Sequence, residues 1–116
     1  MYDYRKLDPA LCEFVPVAEE GDLPAGERLF IEIDDLPIVL FNIAGNLFAI
    51  SDQCSHDNNP LGDGELLGYE INCPRHGASF DVRSGKVLSL PAIEDITAYP
   101  VRVNDGSIEI GIPINK

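Results

Sequence analysis

The stretch that decides the fold of this chain consists of Cys54-Ser55-His56 and, after sixteen intervening residues, Cys73-Pro74-Arg75-His76. It contains both histidines of the sequence and two of its three cysteines. A thiolate and an imidazole two or three positions apart can address one metal centre from a single loop. Two thiolates and two imidazoles suit either tetrahedral zinc or an iron–sulfur centre in which histidines replace cysteines on one iron. The ligand types alone leave both centres open.

The rest of the chain has the pattern of an all-β protein, because short apolar or alternating runs recur between Gly, Pro, Asn and Asp residues and helical periodicity is hard to find. The predicted strands cover residues 14–17, 28–33, 38–43, 47–50, 69–72, 78–82, 86–88, 96–103 and 107–112. Asn104-Asp105-Gly106 is a strong hairpin turn. We expect a small antiparallel β-sandwich or barrel with a subdomain in which two loops, at about 52–63 and 73–81, bind the metal centre.

Length and charge limit the possible partners. A chain of 116 residues predicts one domain over residues 1–116, with a core that needs no external staple. The formal charge of -12 disfavours nucleic acid and anionic membranes, and it suits either a protein partner with a basic docking patch or simply a protein kept in solution by its charge. There is no signal-peptide pattern and no run of about 18 apolar residues, so we expect a cytoplasmic protein. We also expect a monomer in solution.

The cysteines also indicate a metal site rather than a disulfide. Their number is odd, and a reducing compartment disfavours structural disulfides, so Cys54 and Cys73 are interpreted as ligands. Cys12 is interpreted as a small buried apolar residue. A Cys–His nucleophile is a further alternative, but Cys73 and His76 have no evident orienting residue and no oxyanion motif.

The mixed pairing distinguishes the two metal centres. Zinc fingers usually pair Cys with Cys and His with His, with the histidines on a helix, whereas here each local pair is mixed. Cys54-Ser55-His56 and Cys73-Pro74-Arg75-His76-Gly77 resemble the two motifs of Rieske proteins, and the resemblance extends over about residues 14–112. It implies a [2Fe–2S] cluster whose inner iron is held by Cys54 and Cys73, and whose outer iron is held by His56 and His76 near solvent.

Four positions depart from the high-potential members of this family. Asn59 and Arg75 occupy positions where those proteins carry an extra disulfide. Ala78 and Phe80 occupy positions where those proteins place a serine and a tyrosine that donate hydrogen bonds to cluster sulfur. The loss of these donors lowers the expected potential. The chain therefore resembles the soluble, low-potential ferredoxins of bacterial ring-hydroxylating dioxygenase systems.

This resemblance implies an electron carrier that has no substrate of its own. It would take one electron from a flavin-containing reductase and pass it to a terminal non-haem iron oxygenase, with docking near His56, His76, Pro60, Pro74 and Pro91. The chain is not expected to be the oxygenase itself, because both histidines are used by the cluster. Two alternatives stay open: a Rieske carrier for another redox or iron–sulfur-assembly pathway, and the small subunit of a nitrite-reductase-like enzyme, whose members generally lack the four ligands.

Overall fold

The computed structural model describes residues 5–6, 10, 12–53, 60–74, 77–89 and 94–113. Its twelve strands are β1 (Arg5–Lys6), β2 (Cys12–Glu19), β3 (Arg28–Ile33), β4 (Leu36–Ile43), β5 (Asn46–Ser51), β6 (Leu66–Leu67), β7 (Glu70–Asn72), β8 (Ser79–Asp81), β9 (Val87–Ser89), β10 (Thr97–Tyr99), β11 (Val101–Asn104) and β12 (Ser107–Pro113). A short 3-10 helix, Glu20–Asp22, follows β2. The prediction of an all-β fold is confirmed.

The strands form three sheets. The first sheet has the order β1-β10-β5-β4-β3, the second β11-β12-β2 and the third β6-β7-β8-β9. Neighbouring strands are antiparallel, except that β1 runs parallel to β10. The third sheet is joined to the first by the connection from β5 to β6, and this connection contains Cys54 and His56.

The first sheet is the middle layer, because alternate side chains of β4 enter two different cores. Val39 and Phe41 pack with residues of the third sheet, including Ile71 and Phe80. Ile38 and Leu40 face the opposite way and pack with side chains of the second sheet such as Ile108 and Ile110. This is the two-residue period of a strand that is buried on both faces. Each fully buried Ile, Leu or Phe side chain stabilises the fold by roughly 1.5–3 kcal/mol.

Three tight hairpin turns follow the predicted turn chemistry. Asp34 and Asp35 connect β3 to β4, Ala44 and Gly45 connect β4 to β5, and Asp105 and Gly106 connect β11 to β12. All of these residues have positive φ angles, between 52° and 92°. Two consecutive residues with positive φ match the right-handed twist of the flanking strands, which is why such turns close two-residue hairpins.

The structure corrects several predicted boundaries. Residues 96–103 were predicted as one strand, but Pro100 divides them into β10 in the first sheet and β11 in the second. Proline has no backbone N–H to donate to a ladder, so a strand readily ends there and the chain changes sheets. No strand was predicted between residues 50 and 69, but Ser51 belongs to β5 and the short β6 pairs with β7. The short β1 and the 3-10 helix were not predicted.

Candidate metal centre

Cys73 is the predicted ligand that lies within the described residues. It directly follows β7 and lies in the core between the first and third sheets, where only 3% of its surface is exposed. No disulfide joins any cysteines of the described part of the chain. The other three predicted ligands, Cys54, His56 and His76, lie outside the described residues, and the assignment of all four ligands stays a prediction.

The second ligand loop is the turn between β7 and β8. The Cys73 N–H donates to the Ala78 carbonyl at 2.6 Å, and the Gly77 N–H donates to the Cys73 carbonyl at 3.1 Å. Gly77 has a φ of 79°, a left-handed conformation that glycine adopts without steric cost. The backbone of this loop is therefore closed directly at Cys73, and the thiol is fixed at the end of a paired strand.

The first ligand loop is closed at its base by Asp52. Its Oδ1 atom accepts hydrogen bonds from the Leu61 N–H at 3.1 Å and the Gly62 N–H at 2.6 Å. The Asp52 N–H itself donates to the Pro37 carbonyl of β4 at 2.9 Å. A single carboxylate thus joins the two ends of the segment 52–62, which contains Cys54 and His56.

Arg28 holds the same loop from the other side. Its Nη1 atom donates to the Gly62 carbonyl and, at 2.8 Å, to the Gly64 carbonyl. The guanidinium carbon lies 5.3 Å from the centroid of the Phe41 ring. Neither Arg28 nor Asp52 was among the predicted site residues. The only sequence signal for Arg28 is that it is a basic residue at the start of a strand in an acidic chain, which is weak evidence for a role in the site. Its hydrogen-bond partners lie 34 and 36 residues away in the sequence, so no local pattern connects them.

The structure brings the end of the first loop into contact with the strand that leads to Cys73. A Cβ atom added to Gly64 would lie 1.7 Å from the Asn72 carbonyl oxygen, so only glycine fits there without a shift of the backbone. Leu61 and Cys73 are both members of the core cluster between the first and third sheets. The two loops predicted to bind the centre therefore meet at the same end of the third sheet.

The residues after the second loop are buried and hydrogen-bonded. Ala78 and Phe80 are each 0% exposed, and Ser79 between them is 2% exposed. The Ser79 hydroxyl lies 2.7 Å from the Ser89 hydroxyl, which also accepts a hydrogen bond from the Ser79 N–H at 3.1 Å. Ala78 and Phe80, the two residues for which the resemblance implies a loss of hydroxyl donors, are thus inside the core.

An ion pair lies at the opposite end of β8. Arg83 donates to both carboxylate oxygens of Asp81, at 3.0 Å and 2.8 Å, and its guanidinium lies 4.3 Å from the centroid of the Tyr69 ring. The hydrogen bonds from Arg83 hold the pKa of the Asp81 carboxyl below its usual range. The Arg83 pKa is raised by the same partner. This pair fixes the turn between β8 and β9 rather than the metal centre.

The donor set fits a cluster with mixed ligands. Cys73 supplies a buried sulfur among apolar side chains, and its backbone N–H and carbonyl are already paired, so the sulfur is the part of this residue that can bind metal. Among the described residues, no three His, Cys, Asp or Glu side chains are placed to bind a metal ion. The sequence supplies the remaining two imidazoles and one thiolate at the motif positions, which is the donor chemistry of a Rieske centre.

The predicted docking residues are exposed where the structure describes them. Pro60 and Pro74 are both exposed, whereas the adjacent Leu61 and Cys73 are buried. Pro91 lies outside the described residues. Among the described residues, no helix has the length and apolar character needed to cross a membrane.

Comparison with known proteins identifies the family of the chain. Residues 13–100 match the family described as Rieske [2Fe-2S] domain. The ferredoxin subunit of 3-phenylpropionate/cinnamic acid dioxygenase from Escherichia coli (strain K12) is 45% identical over 100 residues, which are 84% of this chain and 90% of that protein.

Solved structures show the same architecture. The ferredoxin of carbazole 1,9a-dioxygenase from Nocardioides aromaticivorans IC177 superposes with a TM-score of 0.79 at 31% identity, and the match covers 87% of this chain and 98% of that one. A complex of reduced oxygenase and oxidized ferredoxin in carbazole 1,9a-dioxygenase contains a chain that matches with a TM-score of 0.79 at 24% identity, over 89% of this chain and 97% of that one.

The chain belongs to the Rieske [2Fe-2S] domain family, and its cofactor is one Rieske cluster. Within that family it is a ferredoxin, an electron-transfer component rather than a catalytic enzyme. The zinc centre and the Cys–His nucleophile are thereby set aside.

Proposed function

We propose that this ferredoxin carries one electron from a flavin-containing reductase to the terminal non-haem iron oxygenase of an aromatic-ring dioxygenase system. The observation that carries this proposal is the 45% identity to a dioxygenase ferredoxin subunit over 90% of that subunit's length. Further support comes from the fold shared with a ferredoxin that has been solved in complex with its oxygenase. The alternative is a Rieske carrier for another redox or iron–sulfur-assembly pathway. Replacing the ferredoxin of a dioxygenase system with this protein distinguishes the two roles.

We further propose Cys54, His56, Cys73 and His76 as the cluster ligands. Support comes from Cys73, which lies at the end of β7 with its backbone paired to Ala78. It also comes from Asp52 and Leu61, which bring together the two ends of the segment containing Cys54 and His56. When bound, the cluster supplies a one-electron redox centre whose potential is raised by neutral imidazole in place of thiolate.

The docking surface that we propose surrounds the two ligand loops. Pro60 and Pro74 are exposed beside buried members of the core, so they present a rigid backbone at this end of the molecule. His56, His76 and Pro91 complete this surface in the proposal. The chain charge of -12 attracts a partner with a basic face and speeds their encounter at low salt. We also propose a cytoplasmic location, where reducing conditions keep the cysteine thiols available to metal.

The function is tested by replacing the ferredoxin subunit of the Escherichia coli 3-phenylpropionate dioxygenase system with this protein. We expect NADH-dependent dihydroxylated product, and a rate of electron transfer to the oxygenase that falls as salt is added. A protein that is chemically reducible but gives no product above a reaction without ferredoxin, with this and other aromatic dioxygenase systems, would contradict the proposed role.

The docking surface has its own test. Pro60→Lys and Pro74→Lys place positive charge against a partner that we expect to be basic, and each should slow reoxidation by the oxygenase about tenfold. Pro24→Lys is the matched control, because Pro24 is also exposed and its neighbour Leu23 packs in the core that lacks Cys73. Equal rates in all three variants would place docking elsewhere on the surface.

A further inference from the structure

We propose that Arg28 is a positioning residue for the cluster, because it fixes the end of the loop that carries Cys54 and His56 against the strand that carries Cys73. The inference rests on the proposed ligand set. Arg28 belongs to β3, at the edge of the first sheet, and it is separated in sequence from both ligand pairs.

The Arg28 side chain is itself held in place by the first sheet. The Arg28 backbone pairs with Phe41 of β4 in the antiparallel ladder, and the Arg28 guanidinium lies over the Phe41 ring. Phe41 is 1% exposed, so this ring is a fixed platform in the core. A planar guanidinium over an aromatic face loses little further freedom when it forms its hydrogen bonds.

Arg28 and Asp52 together satisfy the polar backbone at the end of the first loop. Asp52 accepts the N–H groups of Leu61 and Gly62, while Arg28 donates to the carbonyls of Gly62 and Gly64. Charge-assisted hydrogen bonds of this kind are stronger than neutral ones. Since Leu61, Gly62 and Gly64 are buried, these backbone groups would lose their partners if either charged side chain were removed.

The turn held by Arg28 has no room for a side chain at either of its glycines. A Cβ atom on Gly62 would lie 2.8 Å from the Phe30 ring and 2.9 Å from the Asp52 carboxylate. Gly64, two residues further along the chain, contacts the carbonyl of Asn72, and Asn72 directly precedes Cys73. Arg28 therefore fixes the two ligand segments relative to each other, although it belongs to neither.

The experiment compares Arg28→Met with Arg102→Met in the cluster-loaded protein. Arg102 is a matched control because it also lies over a phenylalanine ring, at 4.1 Å from Phe14, and donates to a carboxylate, Glu109, at 2.7 Å. It belongs to β11 in the second sheet, where it contacts Phe14 of β2 and Glu109 of β12. Two quantities are measured: hydrogen exchange of the peptide 60–66 relative to the peptide 38–43, and the rate at which an iron chelator removes the visible absorbance.

We expect Arg28→Met to accelerate both the exchange of 60–66 and the loss of absorbance about tenfold, since a lost charge-assisted hydrogen bond is a change of that order. Exchange of 38–43 should stay unchanged, and Arg102→Met should alter both quantities by less than about twofold. Equal behaviour of the two variants, or equal acceleration in 60–66 and 38–43, would overturn the proposal, because the effect would then be general destabilisation.

A second variant keeps the test decisive if Arg28→Met does not fold. Arg28→Lys retains the charge but offers a compact ammonium instead of a planar fork, so exchange of 60–66 should rise about threefold. Unchanged exchange in Arg28→Lys would overturn the positioning role. Failure of the ligand assignment has a different signature, because a Cys54→Ser variant would then keep its full iron content with Arg28 intact.

Discussion

Gly64 contacts the Asn72 carbonyl so closely that a Cβ atom on Gly64 would lie 1.7 Å from the oxygen. This contact joins the connection from β5 to β6 with the residue before Cys73. It explains why Gly62-Asp63-Gly64, which superficially resembles part of a nucleotide-binding fingerprint, contains glycine at this position: the glycine permits two pieces of backbone to meet.

Gly64→Ala should therefore disrupt the junction of the two ligand loops. We expect a loss of about 3 kcal/mol or more in the free energy of unfolding, because the clash is with backbone that cannot rotate away. Gly21→Ala is the control, since a Cβ atom there meets nothing within 4 Å. Chemical denaturation measures both, and equal stability of the two variants would show that the contact is absent in solution.

The Ser79–Ser89 pair makes an asymmetric prediction. Ser89→Ala removes the hydroxyl oxygen that accepts a hydrogen bond from the Ser79 N–H and contacts the Ser79 hydroxyl. Ser79 is only 2% exposed, so its N–H and its hydroxyl would each lose this partner in a buried position. We expect a cost of about 1–3 kcal/mol. Ser79→Ala should cost less than about 1 kcal/mol, because the exposed Ser89 can bond to water. A larger cost for Ser79→Ala, measured by urea unfolding, would contradict this arrangement.

Asp81 predicts a pH dependence of stability. Hydrogen bonds from Arg83 lower the pKa of the folded-state carboxyl, so the carboxylate stabilises the fold fully above the unfolded pKa and loses that effect as pH falls through the lowered folded value. Wild type should be more stable than Asp81→Asn near neutral pH, and the difference should shrink below about pH 4. The effect is small because Arg83 is exposed to water.

Denaturation at a series of pH values measures this difference. Asp34→Asn, which removes the same charge at an exposed turn, is the control. A difference between wild type and Asp81→Asn that grows as the solution is acidified would have the opposite sign to the prediction and would contradict the lowered pKa.

Ala78 and Phe80 predict a low midpoint potential. The resemblance to high-potential Rieske proteins implies hydroxyl donors to cluster sulfur at these two positions, whereas here both residues are apolar and fully buried. Ala78→Ser and Phe80→Tyr should each raise the potential, by on the order of a tenth of the roughly 450 mV spanned by Rieske centres. Ala44→Ser, at an exposed turn, is the control for protein voltammetry. A potential that falls in both variants would contradict the interpretation of these two positions.

Local chemistry explains which features could be predicted from the sequence. The turn at Asp105-Gly106 requires positive φ angles that glycine and aspartate favour, and the strand that precedes Cys73 has an alternating pattern; both were predicted. The roles of Arg28 and Gly64 depend on contacts with distant backbone, which no local pattern records. The change of sheet at Pro100 depends likewise on the packing of two sheets. The assignment of Cys54, His56, Cys73 and His76 as ligands and the single domain over residues 1–116 stay predictions.

Pulsed EPR of the reduced protein is the decisive measurement for the proposal that two histidines and two cysteines hold the cluster. We predict a brown protein whose reduced form shows hyperfine coupling to two imidazole nitrogens, with His56→Cys and His76→Cys each removing one of them. A reduced cluster without imidazole coupling, or a colourless protein that contains zinc, would contradict it.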